Sequence, residues 1–376
     1  MGEAGATFFS TPPLIAAGRG AFGELGRMAK VLGARALLVS GEGSLERQGI
    51  LARAEGLLEE AGLEQDVFRG VPPEAPLPWV VRALEAARDF RAEVVIGLGG
   101  GSVLDVAKAA AGLLKEPHPV ARYFEGMALS GTGVPFVAVP TTFGTGSEAT
   151  PNAVLWDPEA RVKQSIRHPS LLSRAVIVDP ALGEGAPPAV KAEAGMDAFV
   201  QAVESYFSRH ATPLTEALSQ GAVSLVAGGL VAFVRGRDAH GAAESCALGS
   251  LMAGMALANA RLGLVHGLAH PIGARTGIRH GRLCAILLPY ALRYNRETVL
   301  EKYAILTHVL KEDPEDFSLG LLTSLNLPTD LAEANLAEED IGPIVAEAMP
   351  SGSLQANPRL VTEEELAALL REACRL

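Results

Sequence analysis

Continuous apolar runs that alternate with helical periodicity constrain the fold of the first 180 residues more than any other feature. Four such runs occur, at 36–40, 94–98, 134–140 and 175–179, and helical periodicity covers 49–61 and 103–114. Strands that are apolar at every position are buried on both faces, which is typical of a parallel sheet covered by helices. The sequence therefore predicts an α/β domain with a parallel sheet over residues 1–180.

The second half of the chain has a different character. Residues 181–188 are small and rich in glycine and proline, which favours a linker. From there to residue 376 the sequence is rich in Ala, Leu and Glu at helical spacing, with almost no β-branched runs. We expect an all-helical domain over 181–376. A hydrophobic content of 48% supplies two large cores and opposes intrinsic disorder.

Charge and cysteine usage exclude several classes of protein. The net charge is −11 and no Lys/Arg-rich block occurs, which opposes a nucleic-acid or anionic-membrane surface. The longest apolar run, 222–234, is shorter than the roughly 20 residues that a membrane span needs. No basic segment followed by a long apolar one marks the N-terminus, and the three cysteines form no CxxC pair. We expect a cytoplasmic protein with reduced thiols, and neither a membrane nor a nucleic-acid partner.

Two glycine-rich segments follow buried strands. In 99–102 (Gly-Gly-Gly-Ser) the glycines let the backbone approach an anion, and the following helix offers free N–H groups. This segment is not the G-x-G-x-x-G fingerprint, because Ser102 stands where the last glycine belongs, and a tight turn without a ligand stays open. The second segment, 141–148, follows the next strand. Since the carboxyl ends of neighbouring parallel strands are where open α/β sheets bind nucleotides, the pair predicts a dinucleotide site.

Three of the eight histidines lie within fifteen residues, and they point to a metal site. His266 and His270 are four residues apart, so they share one face of a helix. Imidazoles together with a carboxylate are ligands that Zn²⁺ and Fe²⁺ use, and the best carboxylate candidate is Asp197. Spacing alone does not decide which of these residues, or His280, bind a metal.

Taken together, these motifs resemble the iron-containing (group III) alcohol dehydrogenase family over nearly the whole chain. The segments that carry the resemblance are 99–108, 140–148, 178–180, 195–199, 266–271 and 280–289. The resemblance implies a dinucleotide-binding α/β domain, an all-α C-terminal domain in the dehydroquinate synthase-like architecture, and a metal in the cleft between them. It also implies NAD(P)-linked interconversion of an alcohol with an aldehyde or ketone, by a homo-oligomer that is a dimer or larger.

The resemblance assigns roles by position. It implies that Asp197, His266 and His280 are metal ligands, and that His270 lies near the nicotinamide as the candidate catalytic residue that relays a proton. The implied cofactor-binding residues are Gly41 and Ser44 after the first predicted strand, Gly100, Gly101 and Ser102 in the first glycine-rich segment, Thr141, Thr142 and Ser147 in the second, and Lys163.

Two positions depart from the pattern of the family. Gln201 stands where the family typically has a histidine, four residues after the ligand aspartate, and an amide oxygen is a poor ligand for Zn²⁺ or Fe²⁺. We therefore expect three protein ligands and a Zn²⁺ or Fe²⁺ ion bound more weakly than usual; the alternative is an empty site, as in maleylacetate reductases. Gly41 stands where NAD-preferring members usually carry an aspartate that binds the ribose. The loss of that aspartate removes repulsion against a 2′-phosphate, and backbone amides and Ser44 are candidate phosphate donors, which slightly favours NADP(H), although Glu42 argues the other way.

The expected function is an NAD(P)-dependent oxidoreductase that interconverts an alcohol and an aldehyde or ketone by metal-assisted hydride transfer. One alternative is a metal-free maleylacetate-type reductase or a sugar-phosphate enzyme of the same fold, which a cationic cluster in the cleft would favour. The other alternative is a non-catalytic nucleotide-binding relative. The presence of Asp197 and of all three clustered histidines argues against that second alternative.

Overall fold

Six parallel strands form one sheet in the first half of the chain, in a computed structural model that describes residues 7–237 and 239–376. The strands are β1 (Ile15–Ala17), β2 (Arg35–Gly41), β3 (Glu64–Val71), β4 (Val94–Gly99), β5 (Phe136–Pro140), β6 (Asn152–Asp157), β7 (Val162–Arg167) and β8 (Ala175–Val178). The order in the sheet is β1-β8-β5-β4-β2-β3, and β6 and β7 pair separately as an antiparallel hairpin. The predicted α/β domain with a parallel sheet is confirmed.

Helices follow the strands in the first half of the chain. After residue 180, the regular structure of the described residues is helical. They are α1 (Leu25–Lys30), α2 (Ser44–Arg47), α3 (Ile50–Glu60), α4 (Leu77–Asp89), α5 (Gly101–Leu113), α6 (Val120–Phe124), α7 (Ala181–Glu184), α8 (Pro188–Phe207), α9 (Pro213–Val234), α10 (Ala239–Ala260), α11 (Leu264–Thr276), α12 (His280–Asn295), α13 (Leu300–Leu310), α14 (Pro314–Ser324), α15 (Glu338–Ala348), α16 (Gly352–Ala356) and α17 (Glu363–Cys374). Short 3-10 helices lie at Ala21–Glu24, Ser147–Ala149, Pro169–Leu171, Arg296–Thr298 and Ala332–Ala334.

The four strands expected from apolar runs are present, and the structure adds four more. β3 is an edge strand whose outer face is solvated, so its polar residues hide it from a search for continuous apolar runs. The segment expected to be a linker, 181–188, begins with the short helix α7. An all-helical second half is confirmed, and a domain boundary at residue 180 stays a prediction.

The strand order reverses between β2 and β4, because the chain continues from β2 to β3 on one side and returns to β4 on the other. A crevice opens at such a point beyond the carboxyl ends of the strands. Register places the strand ends level there, with Ser40 beside Leu98 and Gly99 beside Pro140. The loops that follow β2, β4 and β5 are therefore neighbours at one edge of the sheet.

Two helices have the length and the apolar composition to cross a membrane, Pro213–Val234 and the segment Gly241–Ala260. The search for uninterrupted apolar runs had not predicted them. They pack closely on each other: a Cβ atom added to Gly249 would lie 2.6 Å from the Val226 side chain. The fully buried residues of the first helix include Ala222, Val226 and Leu230. Such packing is typical of core helices, which pass the same test of length and composition.

Candidate metal and cofactor site

The turn from β4 into α5 leaves a helix N-terminus open beside the crevice. Gly100 precedes α5 and no side chain caps the helix there, so its first N–H groups are free to bind an anion. A Cβ atom on Gly101 would lie 2.6 Å from Thr145, and one on Gly99 would lie 2.6 Å from Val103. Glycine fits these positions because the second loop lies too close to Gly101, and the Val103 side chain too close to Gly99, to leave room for a side chain. Ser102 is the second residue of α5, at the same open end.

The second glycine-rich loop packs directly on the first. The backbone N–H of Thr141 donates to the carbonyl oxygen of Gly99 at 3.0 Å, and a Cβ atom on Gly100 would lie 3.1 Å from the Thr142 hydroxyl. Further along, Gly146 has a φ of +61° and lies against the backbone of Gly254 on α10. The structure thus brings the two predicted cofactor loops together and seats the second one on the helical half.

Ser147 binds other protein side chains. Its hydroxyl donates to Asp105 Oδ1 at 2.5 Å and accepts from Lys108 Nζ at 2.9 Å, and the residue is buried. Lys108 also donates to the carbonyl oxygens of Thr150 and Asn152. Burial lowers the pKa of Lys108 to about 8 and raises the pKa of Asp105. Ser147 therefore joins the loop to α5, and its contact with a cofactor stays a prediction.

Three other predicted cofactor residues surround the crevice. Gly41 ends β2, and Ser44 is the exposed first residue of α2, whose hydroxyl accepts from Gln48. Lys163 lies on β7, where its ammonium group forms a 2.5 Å ion pair with Glu74. The charge of Lys163 also reaches the histidine cluster, since it acts on the pKa values of His270 and His280.

Four side chains from three helices converge on one point. Asp197 comes from α8, His266 from α11, and His280 and Cys284 from α12, and their candidate ligand atoms all lie within 4.8 Å of one another. Asp197 Oδ1 is 3.3 Å from His266 Nε2 and 3.7 Å from His280 Nε2. Asp197 and His266 are almost fully buried. The three residues proposed from the sequence are thus brought together, and Cys284 joins them.

Glu204 is a functional residue that the sequence analysis missed. Its carboxylate accepts from His266 Nδ1 at 2.6 Å and from the backbone N–H of Val265 at 2.6 Å. Metal-binding histidines commonly donate their second ring nitrogen to such a carboxylate, which fixes the tautomer and the orientation of the ring. The available signal was spacing, because Glu204 lies seven residues, about two helical turns, after Asp197 on α8.

Gln201 lies between the cluster and the second loop. It is 3% exposed, and among the described residues its Oε1 has no hydrogen-bond partner. A Cβ atom on Gly146 would lie 3.5 Å from that oxygen. His270 is half-buried, and its ring centroid is 5.1 Å from that of His280.

The electrostatics of the cluster favour a bound cation. Burial lowers the pKa of His280 to about 4 and lowers the pKa of His270 well below its ordinary value. Burial opposes ionisation of Asp197, but its contacts with His266 and His280 outweigh burial and lower its pKa. Burial raises the pKa of the Cys284 thiol to about 11, and a metal ion deprotonates a coordinating thiol. The donor set consists of a buried carboxylate, two imidazoles and a sulfur atom that face one point. Such a set fits Zn²⁺ or Fe²⁺.

Comparison with known proteins covers both halves of the chain. Residues 12–180 match the family "Iron-containing alcohol dehydrogenase", and residues 191–374 match "Fe-containing alcohol dehydrogenase family, C-terminal". The chain belongs to the iron-containing alcohol dehydrogenase family.

Relatives of this alcohol dehydrogenase match along almost their whole length. Lactaldehyde reductase of Escherichia coli (strain K12) is 34% identical over 370 residues, which are 95% of this chain and 96% of the relative. The 1,3-propanediol dehydrogenase of Klebsiella pneumoniae is also 34% identical, with the same coverage of both chains. The crystal structure of a 1,3-propanediol oxidoreductase superposes with a TM-score of 0.93 at 32% identity, and covers 98% of this chain and 100% of its own.

The predicted family, fold class and type of activity are therefore confirmed. This iron-containing alcohol dehydrogenase is an NAD(P)-dependent oxidoreductase that acts on alcohols and aldehydes. Its family uses NAD(P) together with a divalent metal. The donor cluster and the open N-terminus of α5 are the features of this chain that fit those two groups.

Proposed function

We propose that this enzyme holds its divalent metal through Asp197, His266 and His280, and binds NAD(P)(H) in the crevice at the end of the sheet. The observation that carries the proposal is the convergence of these three side chains, in which Asp197 Oδ1 lies 3.3 Å from His266 Nε2 and 3.7 Å from His280 Nε2. The loop after β5 packs on α8, the helix that carries Asp197, because a Cβ atom on Gly144 would lie 2.7 Å from the Ala194 carbonyl oxygen. The proposed cofactor contacts are Gly41, Ser44, Gly100, Gly101, Ser102, Thr141, Thr142, Ser147 and Lys163.

The residues of the chain have separate tasks in the proposed reaction. When bound, the metal polarises the oxygen of the alcohol or carbonyl, and the nicotinamide accepts or delivers the hydride. Glu204 holds His266 in the tautomer whose Nε2 faces the cluster. His270 is neutral at neutral pH because burial lowers its pKa, so its ring can accept the proton that leaves the alcohol and pass it on.

The substrate is proposed to be a small alcohol and its aldehyde. The names of the two relatives at 34% identity, a lactaldehyde reductase and a 1,3-propanediol dehydrogenase, support short substrates. We also propose a cytoplasmic homo-oligomer, a dimer or larger, without a membrane or nucleic-acid partner. Initial rates with 1,2-propanediol, 1,3-propanediol and a long-chain alcohol test the substrate class, and size-exclusion chromatography with light scattering tests the assembly.

NADP(H) is proposed as the slightly preferred cofactor, because Gly41 places no carboxylate at the end of β2. An aspartate fits there, since a Cβ atom would meet Val103 and Val71 only at 3.4 and 3.5 Å. Gly41→Asp is expected to shift the ratio of kcat/KM values toward NAD(H) by about tenfold, which corresponds to about 1.4 kcal/mol of repulsion against a 2′-phosphate. Glu42→Gln, which removes a neighbouring charge, is expected to shift the ratio toward NADP(H). An unchanged ratio in both variants contradicts the proposal.

Metal content is the experiment that tests the site. Protein purified without oxygen, chelator or histidine tag is expected to carry close to one Fe or Zn per chain by elemental analysis. His266→Ala and His280→Ala are expected to lose both the metal and the activity. His308→Ala, at an exposed position on α13, is the matched control and should retain both. Unchanged metal content in the first two variants would reject the ligand assignment.

A further inference from the structure

The thiol of Cys284 faces the same two nitrogen atoms that face Asp197. Cys284 Sγ lies 3.7 Å from His266 Nε2 and 3.5 Å from His280 Nε2, and the residue is fully buried. Cys284 follows His280 by four residues on α12, which puts both side chains on one face of that helix. The helix thus offers two adjacent donors, a nitrogen and a sulfur, to one point in the molecule.

Four of the six donor–donor distances in the cluster lie close to those around a tetrahedral metal ion. Metal–nitrogen bonds of about 2.0–2.1 Å and a metal–sulfur bond of about 2.3 Å separate nitrogen from sulfur by about 3.5 Å in a tetrahedron. Metal–oxygen bonds of about 2.0–2.2 Å separate a carboxylate oxygen from nitrogen by about 3.3–3.5 Å in the same geometry. The observed nitrogen–sulfur separations are 3.5 and 3.7 Å, and the observed nitrogen–oxygen separations are 3.3 and 3.7 Å.

The sulfur of Cys284 is about equally close to two imidazole nitrogens, as a ligand that shares one metal ion with them would be. One S–H group donates a single hydrogen bond, whereas the sulfur has two imidazole nitrogens at similar distances. The Nδ1 atom of His266 contacts Glu204, which leaves Nε2 as the ring atom that faces the cluster. A cation at the centre pairs with all four donors at once.

The neighbouring position 201 supplies an independent observation. The Gln201 side chain is nearly fully buried and helps to lower the pKa of Asp197, yet its Oε1 has no hydrogen-bond partner among the described residues. The family typically provides its fourth ligand at this position, and an amide oxygen is a poor substitute. In this chain, a sulfur atom in the same cluster restores the number of protein ligands to four.

We propose that Cys284 is the fourth metal ligand of this enzyme and that its thiolate shifts the preference of the site from Fe²⁺ toward Zn²⁺. On binding, the S–H bond breaks, its proton goes to solvent, and the sulfur electron pair forms the bond to the metal. Thiolate is a softer ligand than imidazole or carboxylate and favours zinc. The inference rests on the proposed function, because it assumes that Asp197, His266 and His280 bind the metal.

Cobalt substitution tests the proposal without relying on activity. Co²⁺ bound by a thiolate shows an intense near-ultraviolet charge-transfer band in addition to its weaker visible bands. Wild-type enzyme loaded with Co²⁺ is expected to show that band, and Cys284→Ser is expected to lose it while the visible bands persist. The matched control is Cys246→Ser, at a buried cysteine of α10 that is not in the cluster; its spectrum should equal that of the wild type.

Metal affinity and proton release provide a second measurement. Cys284→Ser is expected to weaken Zn²⁺ binding more than about tenfold, since even the loss of an indirect partner of a ligand has that effect. It should weaken Fe²⁺ binding less, and it should release about one proton fewer per Zn²⁺ bound, as measured by calorimetry in two buffers. Circular dichroism and NAD(P)H binding confirm that the variant is folded.

The outcomes separate this inference from the proposed function. A wild-type Co²⁺ complex without the charge-transfer band, or a band that persists in Cys284→Ser, overturns the role of Cys284 and leaves the three-ligand site intact. Equal losses of Zn²⁺ and Fe²⁺ affinity overturn the metal preference. A wild-type protein that binds none of the three metals overturns both the inference and the proposed metal site.

Discussion

The contact between Gly146 and Gly254 makes a strong prediction about how the cofactor loop is seated. A Cβ atom on Gly254 would lie 2.7 Å from Gly146 Cα and 2.8 Å from Gly146 O. Ordinary contacts between such atoms are about 3.5–4.0 Å, and both atoms belong to the backbone. Gly254→Ala must therefore move the loop after β5 away from α10 by the better part of an ångström.

The magnitude follows from two opposing effects. Overpacking of this kind costs about 1–3 kcal/mol, whereas replacing glycine by alanine inside a helix gains about 1 kcal/mol. Gly228 is the matched control, because it is exposed in the interior of α9 and a Cβ atom there meets nothing within 4 Å. Gly228→Ala is expected to be stabilising, and the difference in the free energy of unfolding between the two variants isolates the overpacking.

Equilibrium unfolding in urea measures both free energies, and fluorescence titration measures the affinity for NAD(P)H. Gly254→Ala is expected to be about 1–3 kcal/mol less stable than Gly228→Ala and to bind the cofactor more weakly, because the displaced loop carries Thr141 and Thr142. If Gly254→Ala were as stable as Gly228→Ala and bound the cofactor normally, the close approach of α10 to the loop would be refuted.

Three further substitutions test the surroundings of the site. Glu204→Gln should weaken Zn²⁺ binding about 10–100-fold in a chelator competition. The reason is that one amide oxygen replaces the two carboxylate oxygens that accept from His266 and Val265. Glu216→Gln, at a partly exposed position on α9, is the control and should leave Zn²⁺ binding unchanged. Glu148→Gln should flatten the dependence of stability on pH. Burial raises the pKa of Glu148 from its ordinary value of 4.5 to about 7, so the wild type loses up to about 3 kcal/mol of stability as the pH rises from 4.5 to 7. The exposed control Glu60→Gln should keep the wild-type slope in urea unfolding at several pH values. Ser147→Ala should lose about 1–3 kcal/mol of stability, since two buried charged side chains lose its hydroxyl. It should also raise the KM for NAD(P)H, because Ser147 is a proposed cofactor contact; unchanged stability would contradict its role in joining the loop to α5.

The two glycine-rich loops were predicted from local patterns, whereas Asp197, His266 and His280 were assigned by the resemblance to the family. A buried strand that runs into glycines, or two histidines one helical turn apart, is visible in a short window of sequence. Cys284 and Glu204 were missed for a different reason. Their contacts with His266 depend on how α8, α11 and α12 pack, and no short window records that packing. The edge strand β3 was missed because its exposed face is polar.

One face of α8 connects the two halves of the proposed site. Asp197, Gln201 and Glu204 follow one another at intervals of four and three residues, so they share a face that meets the metal cluster, the Gly146 loop and His266. A metal bound at Asp197 would fix this face, and the face in turn contacts the loop that is proposed to bind the cofactor. Thermodynamic linkage then requires that metal and cofactor raise each other's affinity by the same factor. Titration of NADPH into metal-free and Zn²⁺-loaded enzyme measures that factor, and equal affinities would show that α8 positions the two groups without coupling them.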